Sequence, residues 1–266
     1  MAIKWTILGL LVYAAMAAHL AACAALAGRA RRAGWALYAA GFVVTAVAFG
    51  LRWREVAHVP LQNMFEVCVC LGMLMLPITL FCRRFLGVGG EAADAAIGLV
   101  ILLPAGFIFK ADPQHLPPAL QSPLFIPHVA AYMLSYVIMA KAAVPAALAL
   151  VAAYAPRGEK AVVPYETAAY RMVALGFPLL TLGLVLGAVW GKIAWGDYWN
   201  WDPKELWSLV SWLVYLAYFH FRHLFGARHR RANSAFVIAG LAAILITLLW
   251  VNLARIFAGG MHSYAS

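Results

Sequence analysis

Charged residues are scarce in this chain, and acidic ones are the scarcest. Of its 266 residues, 11% are Asp, Glu, Lys or Arg and only 10 are acidic, whereas 65% are hydrophobic. About a quarter of the residues in an ordinary soluble domain are charged, so the composition excludes that class and indicates an integral membrane protein. The apolar runs are continuous rather than alternating, which argues against a membrane-spanning β-barrel.

Cysteine is also sparse, and its spacing argues against two common kinds of site. The four cysteines form no CxxC pair, and Cys68 and Cys70 are too close together for the usual redox or zinc spacing. All four lie in or at the ends of apolar runs, where a free cysteine packs as a small hydrophobe. We therefore expect no thiol chemistry from this chain.

The apolar runs predict an all-α, polytopic membrane helical bundle. A hydrocarbon core of about 30 Å requires about 20 apolar residues per helix, and eight runs approach that length. Because little sequence lies outside them, we predict a single transmembrane domain over residues 1–266, with its first run retained as a helix rather than cleaved as a signal peptide. The eight predicted spans are roughly 3–27, 35–52, 64–82, 92–109, 129–154, 167–190, 206–225 and 234–256.

Basic residues are distributed unevenly between alternate connections. The net charge is +10, but eleven of the twenty basic residues follow the first, third, fifth and seventh spans. The positive-inside rule makes those connections cytoplasmic. The rule thus predicts that both termini lie outside. It also explains the net positive charge by the orientation of the protein in the membrane rather than by nucleic-acid binding.

The most informative segment is Trp190–Trp207, WGKIAWGDYWNWDPKELW. It holds five of the ten tryptophans, interleaved with glycines and with acidic and basic residues, between two long apolar runs. A lipid-facing segment would not carry the charges, and an aqueous loop has little use for so many indoles. Flat aromatic surface beside charged groups at a membrane edge suits a planar amphipathic ligand such as heme.

Several histidines are placed where they could bind the iron of such a ligand. His128 follows Pro127 at the start of the fifth span, and His262 follows the last span on the same predicted side. Imidazole is a normal axial ligand of heme iron. His220 lies deep in the seventh span, and His19 lies toward the inner end of the first. The alternative for each histidine is a structural role, as a helix cap or as a hydrogen-bonded neutral ring.

Other polar residues in or beside the spans need partners. Gln62, Asn63 and Glu66 open the third span and either brace the outer site or stabilise a helix start. Lys141 and Arg171 lie within predicted spans, where an ionisable group must be paired or must snorkel to the interface.

The segment WGDYWNWDPKE at 195–205 resembles the tryptophan-rich WWD signature of the cytochrome c assembly family. The histidine that opens the fifth span, the segment HVPLQNMFE, the seventh-span sequence SWLVYLAYFHFR and the terminal GGMHSYA are similar to the CcsA/ResC type of system II cytochrome c biogenesis. Eight spans favour this branch over the shorter CcmC and the much longer CcmF.

The resemblance implies a set of site residues. His128 and His262 match the two external histidines that bind heme iron, and His220 matches an intramembrane histidine that holds heme on its way outward. This chain lacks the partner half that supplies a second intramembrane histidine in fused versions, so either a separate subunit or a local histidine such as His19 completes the inner site. The residues that match the heme-cradling motif are Trp195, Gly196, Trp199, Trp201, Asp202 and Glu205.

The implied function is heme handling in the bacterial inner membrane, with the active face periplasmic. Heme b is the cargo, presented for covalent attachment to the CxxCH motif of apocytochrome c. The expected partners are a ResB/CcsB-like membrane subunit, apocytochrome c and a thioredoxin-like thiol reductant. The chain would then act as a subunit of a cytochrome c synthase (heme lyase) by positioning heme, without a nucleophile of its own, and Lys192, Lys204 and Arg255 are the outward cations available to the heme propionates.

Two other functions compete with this one. A proton- or ion-coupled transporter would use Glu66, Lys141, Arg171 and His220 as a polar relay through the bundle. A HemX-like membrane scaffold of tetrapyrrole metabolism would share the pattern of spans. The first leaves the tryptophans unexplained, and the second does not require the full WWD core with both outer histidines.

Overall fold

A computed structural model describes residues 3–152 and 163–250. Within these two stretches the chain forms eight α-helices and no β-strand, and each helix corresponds to one predicted apolar run. The predicted polytopic helical bundle is therefore confirmed. The helices are α1 Ile7–Ala27, α2 Arg31–Val56, α3 Met64–Phe81, α4 Glu91–Phe107, α5 Phe125–Ala152, α6 Tyr165–Trp195, α7 Pro203–Phe225 and α8 Arg230–Leu245.

Six helical segments in the described part of the chain are long and apolar enough to cross a membrane. The other two helices are α4, which has only 17 residues, and α7, which carries polar side chains at both ends. The predicted number of eight spans and the predicted outer position of both termini stay predictions. The helix boundaries also differ from the predicted spans, since α5 begins at Phe125 rather than at 129 and α6 continues to Trp195 rather than ending at 190.

The described residues fall into two compact units, one with α1 to α4 and the other with α5 to α8. This division does not test the prediction of a single transmembrane domain, which stays a prediction. In the first unit α1 packs on α2 and α4, and α3 packs on α2 and α4. The core of this unit is formed by Val12, Ala15, Phe65, Leu102 and Ala105, each at most 2% exposed.

A buried ion pair fastens the first unit where α2 ends and α3 begins. Arg52 Nε donates to Glu66 Oε1 at 2.9 Å, and both side chains are about 1% exposed. Arg52 also donates to the carbonyls of Ala111 and Asp112 just beyond α4. Asn63 and Glu66 form a reciprocal capping box at the start of α3. The polar residues of this segment therefore hold the first unit together, which is the structural one of their two predicted roles.

In the second unit, α5 and α6 form the most extensive helix pair. Three glycines of α6 face α5 side chains closely enough that a Cβ would intrude. It would lie 3.1 Å from Ile138 at Gly176, 2.9 Å from Tyr132 at Gly183 and 2.6 Å from His128 at Gly187. Small residues at a membrane helix interface allow this close approach. The stripe of glycines thus gives the rings of α5 direct access to the α6 backbone.

Candidate functional site

His128 is held by the backbone of α6. Its Nδ1 lies 2.8 Å from the carbonyl oxygen of Gly183. A carbonyl only accepts hydrogen bonds, so Nδ1 carries the proton, and in the neutral ring Nε2 carries the lone pair. A histidine that binds a metal through one ring nitrogen typically donates a hydrogen bond from the other, and this bond fixes the ring orientation and the tautomer. The half-buried ring is thus oriented in the form that an iron ligand requires.

A chain of aromatic rings leads from His128 to the tryptophan-rich segment. The His128 ring lies edge-on to Tyr132 at 5.0 Å and 5.5 Å from Trp190. Trp190, only 2% exposed, lies 4.9 Å from Trp195 and 6.1 Å from Phe125. Such ring pairs contribute about 0.5–1.5 kcal/mol each beyond the area that they bury.

The connection between α6 and α7, Gly196–Asp202, is here called the tryptophan loop. Helix α6 ends at Trp195 and is capped by Gly196, whose φ of +92° lies in the left-handed region that glycine adopts without cost. Helix α7 starts with Asp202 as N-cap, Pro203 in the first turn and Glu205 completing a capping box. Asp202 Oδ1 accepts from the Lys204 backbone N–H at 2.9 Å, and Glu205 Oε2 accepts from the Asn200 backbone N–H at 2.8 Å.

Three of the six residues predicted to cradle heme therefore shape the loop. Gly196, Asp202 and Glu205 stop one helix and start the next, and their polar atoms bond to the backbone. The aromatic members differ, because Trp195 is half-buried and Trp201 is 69% exposed, as is the neighbouring Tyr198 at 59%. Trp201 also has a φ of +59°, an unfavourable conformation for a residue with a side chain.

The remaining aromatic member, Trp199, carries an unused donor. Its ring lies edge-on to that of Trp201 at 5.9 Å. Its Nε1 is buried and has no hydrogen-bond partner among the described residues. A buried donor without a partner costs about 1–3 kcal/mol, and such a group in a native structure needs an explanation. An acceptor supplied by a bound molecule would remove that cost.

Two of the predicted propionate-binding cations lie at the loop. Lys192 Nζ donates to the Gly196 carbonyl and lies 5.6 Å from the centre of the Tyr198 ring. Burial lowers the pKa of Lys204 to about 8, although the Asp202 carboxylate opposes that shift. An anion bound beside Lys204 would therefore stabilise the charged form of its ammonium group. Arg255 and His262 lie outside the described residues, and their predicted roles stay predictions.

His220 lies on the exposed side of α7. Its Nδ1 lies 2.8 Å from the Leu216 carbonyl oxygen, so Nε2 carries the lone pair, as in His128. His223, three residues later, is exposed beside it, and the other residues of this exposed stripe are apolar. They are Leu206, Leu213, Ala217 and Leu224.

His19 is enclosed within the first unit. Its ring is fully buried, with Nδ1 bonded to the Ala15 carbonyl and the edge-on ring of Tyr38 at 5.6 Å. A Cβ on Gly41 or Gly98 would lie within 3 Å of ring atoms, so helices α2 and α4 both press on the imidazole. A macrocycle has no room here, which argues against His19 as the local ligand of an inner heme.

The proposed polar relay of a transporter has little support in these contacts. Glu66 is bound to Arg52, and Arg171 donates to the Leu86 carbonyl from an exposed position. Lys141 is buried, about 1% exposed. His220 is exposed.

Sequence reasoning missed the residues that surround His128. Trp190, Tyr132, Gly183 and Gly187 position the ring but do not belong to the motif. A signal was present, since Gly183, Gly187 and Gly191 recur every four residues in an otherwise apolar run. That spacing is typical of a close membrane helix interface.

The fold and the site define a multi-pass helical membrane protein with an oriented histidine beside an aromatic loop. The model of the family described as Cytochrome C assembly protein matches residues 59–258. The chain therefore belongs to the cytochrome c assembly family and has a role in cytochrome c maturation.

Curated relatives named cytochrome c biogenesis protein CcsA agree with this assignment. The protein of Parasynechococcus marenigrum is 33% identical over 251 residues, which cover 80% of each chain. Those of Guillardia theta and Mesostigma viride are 32% and 30% identical, covering 84% and 83% of this chain and 82% of each relative. The solved cytochrome c heme lyase CcmF shares the fold, with a TM-score of 0.70 at 22% identity. That similarity covers 93% of this chain but only 48% of CcmF.

Proposed function

We propose that this protein binds heme and presents it at the outer membrane surface for covalent attachment to apocytochrome c. The observation that carries the proposal is His128, whose Nδ1–H is fixed by the Gly183 carbonyl so that Nε2 holds the lone pair. The ring lies at one end of the aromatic chain that leads to the tryptophan loop. His262 is proposed as the second axial ligand, and Trp195, Trp199 and Trp201 as the surface that contacts the porphyrin.

Catalysis in this proposal is positioning. The two thiols of the CxxCH motif add across the two heme vinyl groups, so that each sulfur bonds to carbon and each thiol proton goes to the neighbouring carbon. This addition needs no oxidant and no nucleophile from the present chain. Holding heme beside the incoming peptide supplies proximity and orientation, and the histidine of CxxCH replaces one axial imidazole.

His220 is proposed to hold heme earlier, in the inner half of the bilayer. Its outward Nε2 suits a site completed by a second protein better than one completed within this chain, because His19 is enclosed. The proposed partner is a ResB/CcsB-like subunit that packs on the exposed stripe of α7. A thioredoxin-like reductant would keep the CxxCH thiols reduced, and the setting is the bacterial inner membrane with the tryptophan loop on the periplasmic side.

The test is a spectrum of the protein purified with its partner subunit. The wild-type complex should carry heme with the absorption of iron bound by two imidazoles. His128→Gly and His262→Gly should each lose that spectrum and regain it on addition of imidazole, which fills the space that the side chain leaves. Unchanged heme content and an unchanged spectrum in both variants would refute the external site.

A further inference from the structure

The end of the second unit opposite the tryptophan loop is tied by one cluster of polar side chains. Arg222 of α7 donates to both oxygens of Glu166 of α6, from Nε at 2.7 Å and from Nη2 at 3.2 Å. Asn233 of α8 donates to the same carboxylate at 3.0 Å. The guanidinium also stacks on the Tyr170 ring at 3.6 Å. We call Glu166, Arg222 and Asn233 the inner clamp.

The inner clamp restrains the rotation of α7 about its axis at its inner end, beyond the packing of the buried Tyr215 and Tyr218. A bidentate pair between Arg and a carboxylate fixes direction as well as distance, because both groups are planar. Glu166 is only 5% exposed, so the pair is little screened by solvent. The Asn233 bond and the stack on Tyr170 remove the remaining freedom of the carboxylate and the guanidinium.

His220 depends on that rotation. Successive residues of an α-helix are about 100° apart, so Arg222 and His220 project roughly 200° apart, on opposite sides of α7. The clamp holds one side against α6 and α8, and His220 is exposed on the other side. At a side-chain radius of about 5–6 Å, a rotation of about 20° moves the ring by about 2 Å. Metal–ligand distances tolerate only about 0.2 Å.

We infer that the inner clamp positions His220 as an iron ligand, with Arg222 and Glu166 acting through the helix rather than on heme. This inference rests on the proposed function, in which His220 binds heme in the membrane. The Arg222 guanidinium is already bonded to a carboxylate, so its role differs from that of a free cation waiting for a propionate.

The experiment measures heme in clamp variants of the complex that carries the partner subunit. Every protein also carries His128→Leu, which fills the place of the outer ring without offering a nitrogen. Arg222→Lys keeps the charge but loses the two-point contact, and Asn233→Ala removes the Asn233 bonds to Glu166 and to the Gly226 carbonyl. The matched control is Glu66→Gln, which breaks the buried pair with Arg52 in the first unit.

Arg222→Lys should lower bound heme per folded protein at least threefold and shift the remaining heme from low-spin to high-spin. Asn233→Ala should shift the spectrum in the same direction by a smaller amount. Added imidazole should restore the low-spin spectrum in both, because a diffusible ligand does not depend on the rotation of α7. Glu66→Gln should leave the spectrum of the bound heme unchanged.

The failures of the two proposals are distinguishable. Normal heme loading in His220→Ala would refute the inner heme site itself. Loss of heme in His220→Ala together with wild-type spectra in folded Arg222→Lys and Asn233→Ala would refute the clamp alone. A loss of heme that only follows the loss of folded protein, with an unchanged spectrum, would also refute the clamp, because a purely structural role of these residues predicts that result.

Discussion

Gly187→Ala tests whether the α6 backbone positions the outer imidazole. A Cβ at this position would lie 2.6 Å from Cε1 and 2.9 Å from Nδ1 of His128, whereas ordinary contact starts at 3.4 Å. The ring must therefore retreat by about 0.8 Å, and the 2.8 Å bond to Gly183 must lengthen or break. Overpacking of this kind costs about 1–3 kcal/mol, and the gain in helix propensity from Gly to Ala offsets about 1 kcal/mol of it.

The free energy of unfolding should therefore fall by about 0–2 kcal/mol, and heme binding should weaken beyond what that loss explains. We expect the affinity of the outer site for hemin to fall at least tenfold, which corresponds to about 1.4 kcal/mol, because the ring loses its orientation. The assay is a hemin titration of the purified protein, followed by absorption, with His220→Ala in every sample so that the outer site is measured alone. A thermal melt of the same samples measures stability.

The matched control is Gly176→Ala on the same helix. A Cβ there would lie 3.1 Å from the side chains of Ile138 and Met139, which are apolar and do not contact His128. Its hemin affinity should stay within about twofold of the wild type, a difference below about 0.5 kcal/mol. Wild-type affinity and spectrum in Gly187→Ala would show that the orientation of His128 does not matter, and the reasoning about the site would be wrong.

Three further predictions concern polar groups. Asp202→Ala should lower the free energy of unfolding by about 0.5–2 kcal/mol through loss of the N-cap, whereas Asp202→Asn should not, and equal thermal melts for the two would contradict the capping role. The Lys204 ammonium loses its proton as the pH rises through about 8. Retention of heme should therefore fall between pH 7 and pH 9 in the wild type and stay level in Lys204→Arg. Parallel curves for the two proteins would show that Lys204 does not bind a propionate. Glu66→Gln removes the buried one of the two carboxylates bonded to Arg52, and the more exposed Glu55 remains as a partner. The change should lower the free energy of unfolding by about 1.5–3 kcal/mol, the contribution of a hydrogen bond to a charged group. The paired change Arg52→Met with Glu66→Leu should recover part of that loss, as measured by thermal unfolding in detergent.

The helices were predictable because a bilayer imposes their length. Eight apolar runs became eight helices, with boundaries wrong by a few residues where Phe125 and Trp195 extend α5 and α6. The packing around His128 was not predictable in the same way. It depends on the register between α5 and α6, and hydropathy says nothing about which glycine meets which ring.

The start of α7 shows a second role for residues that were predicted to cradle heme. Asp202-Pro203-Lys204-Glu205 carries the marks of a helix start, with an N-cap, a proline in the first turn and a glutamate three residues after the cap. Those marks were readable from the sequence, but the resemblance favoured a direct role in cradling heme. The structure shows both carboxylates bonded to backbone N–H groups, and their direct contact with heme stays a prediction.

The left-handed backbone at Trp201 has a cost that glycine would avoid. A residue with a side chain pays about 1–2 kcal/mol for this conformation, and 69% of the Trp201 residue surface is exposed to its surroundings, where little packing returns that energy. Selection for thermal robustness alone would therefore favour Trp201→Gly. A form of this protein that carries glycine here should survive higher temperatures and yet hold the proposed heme less tightly.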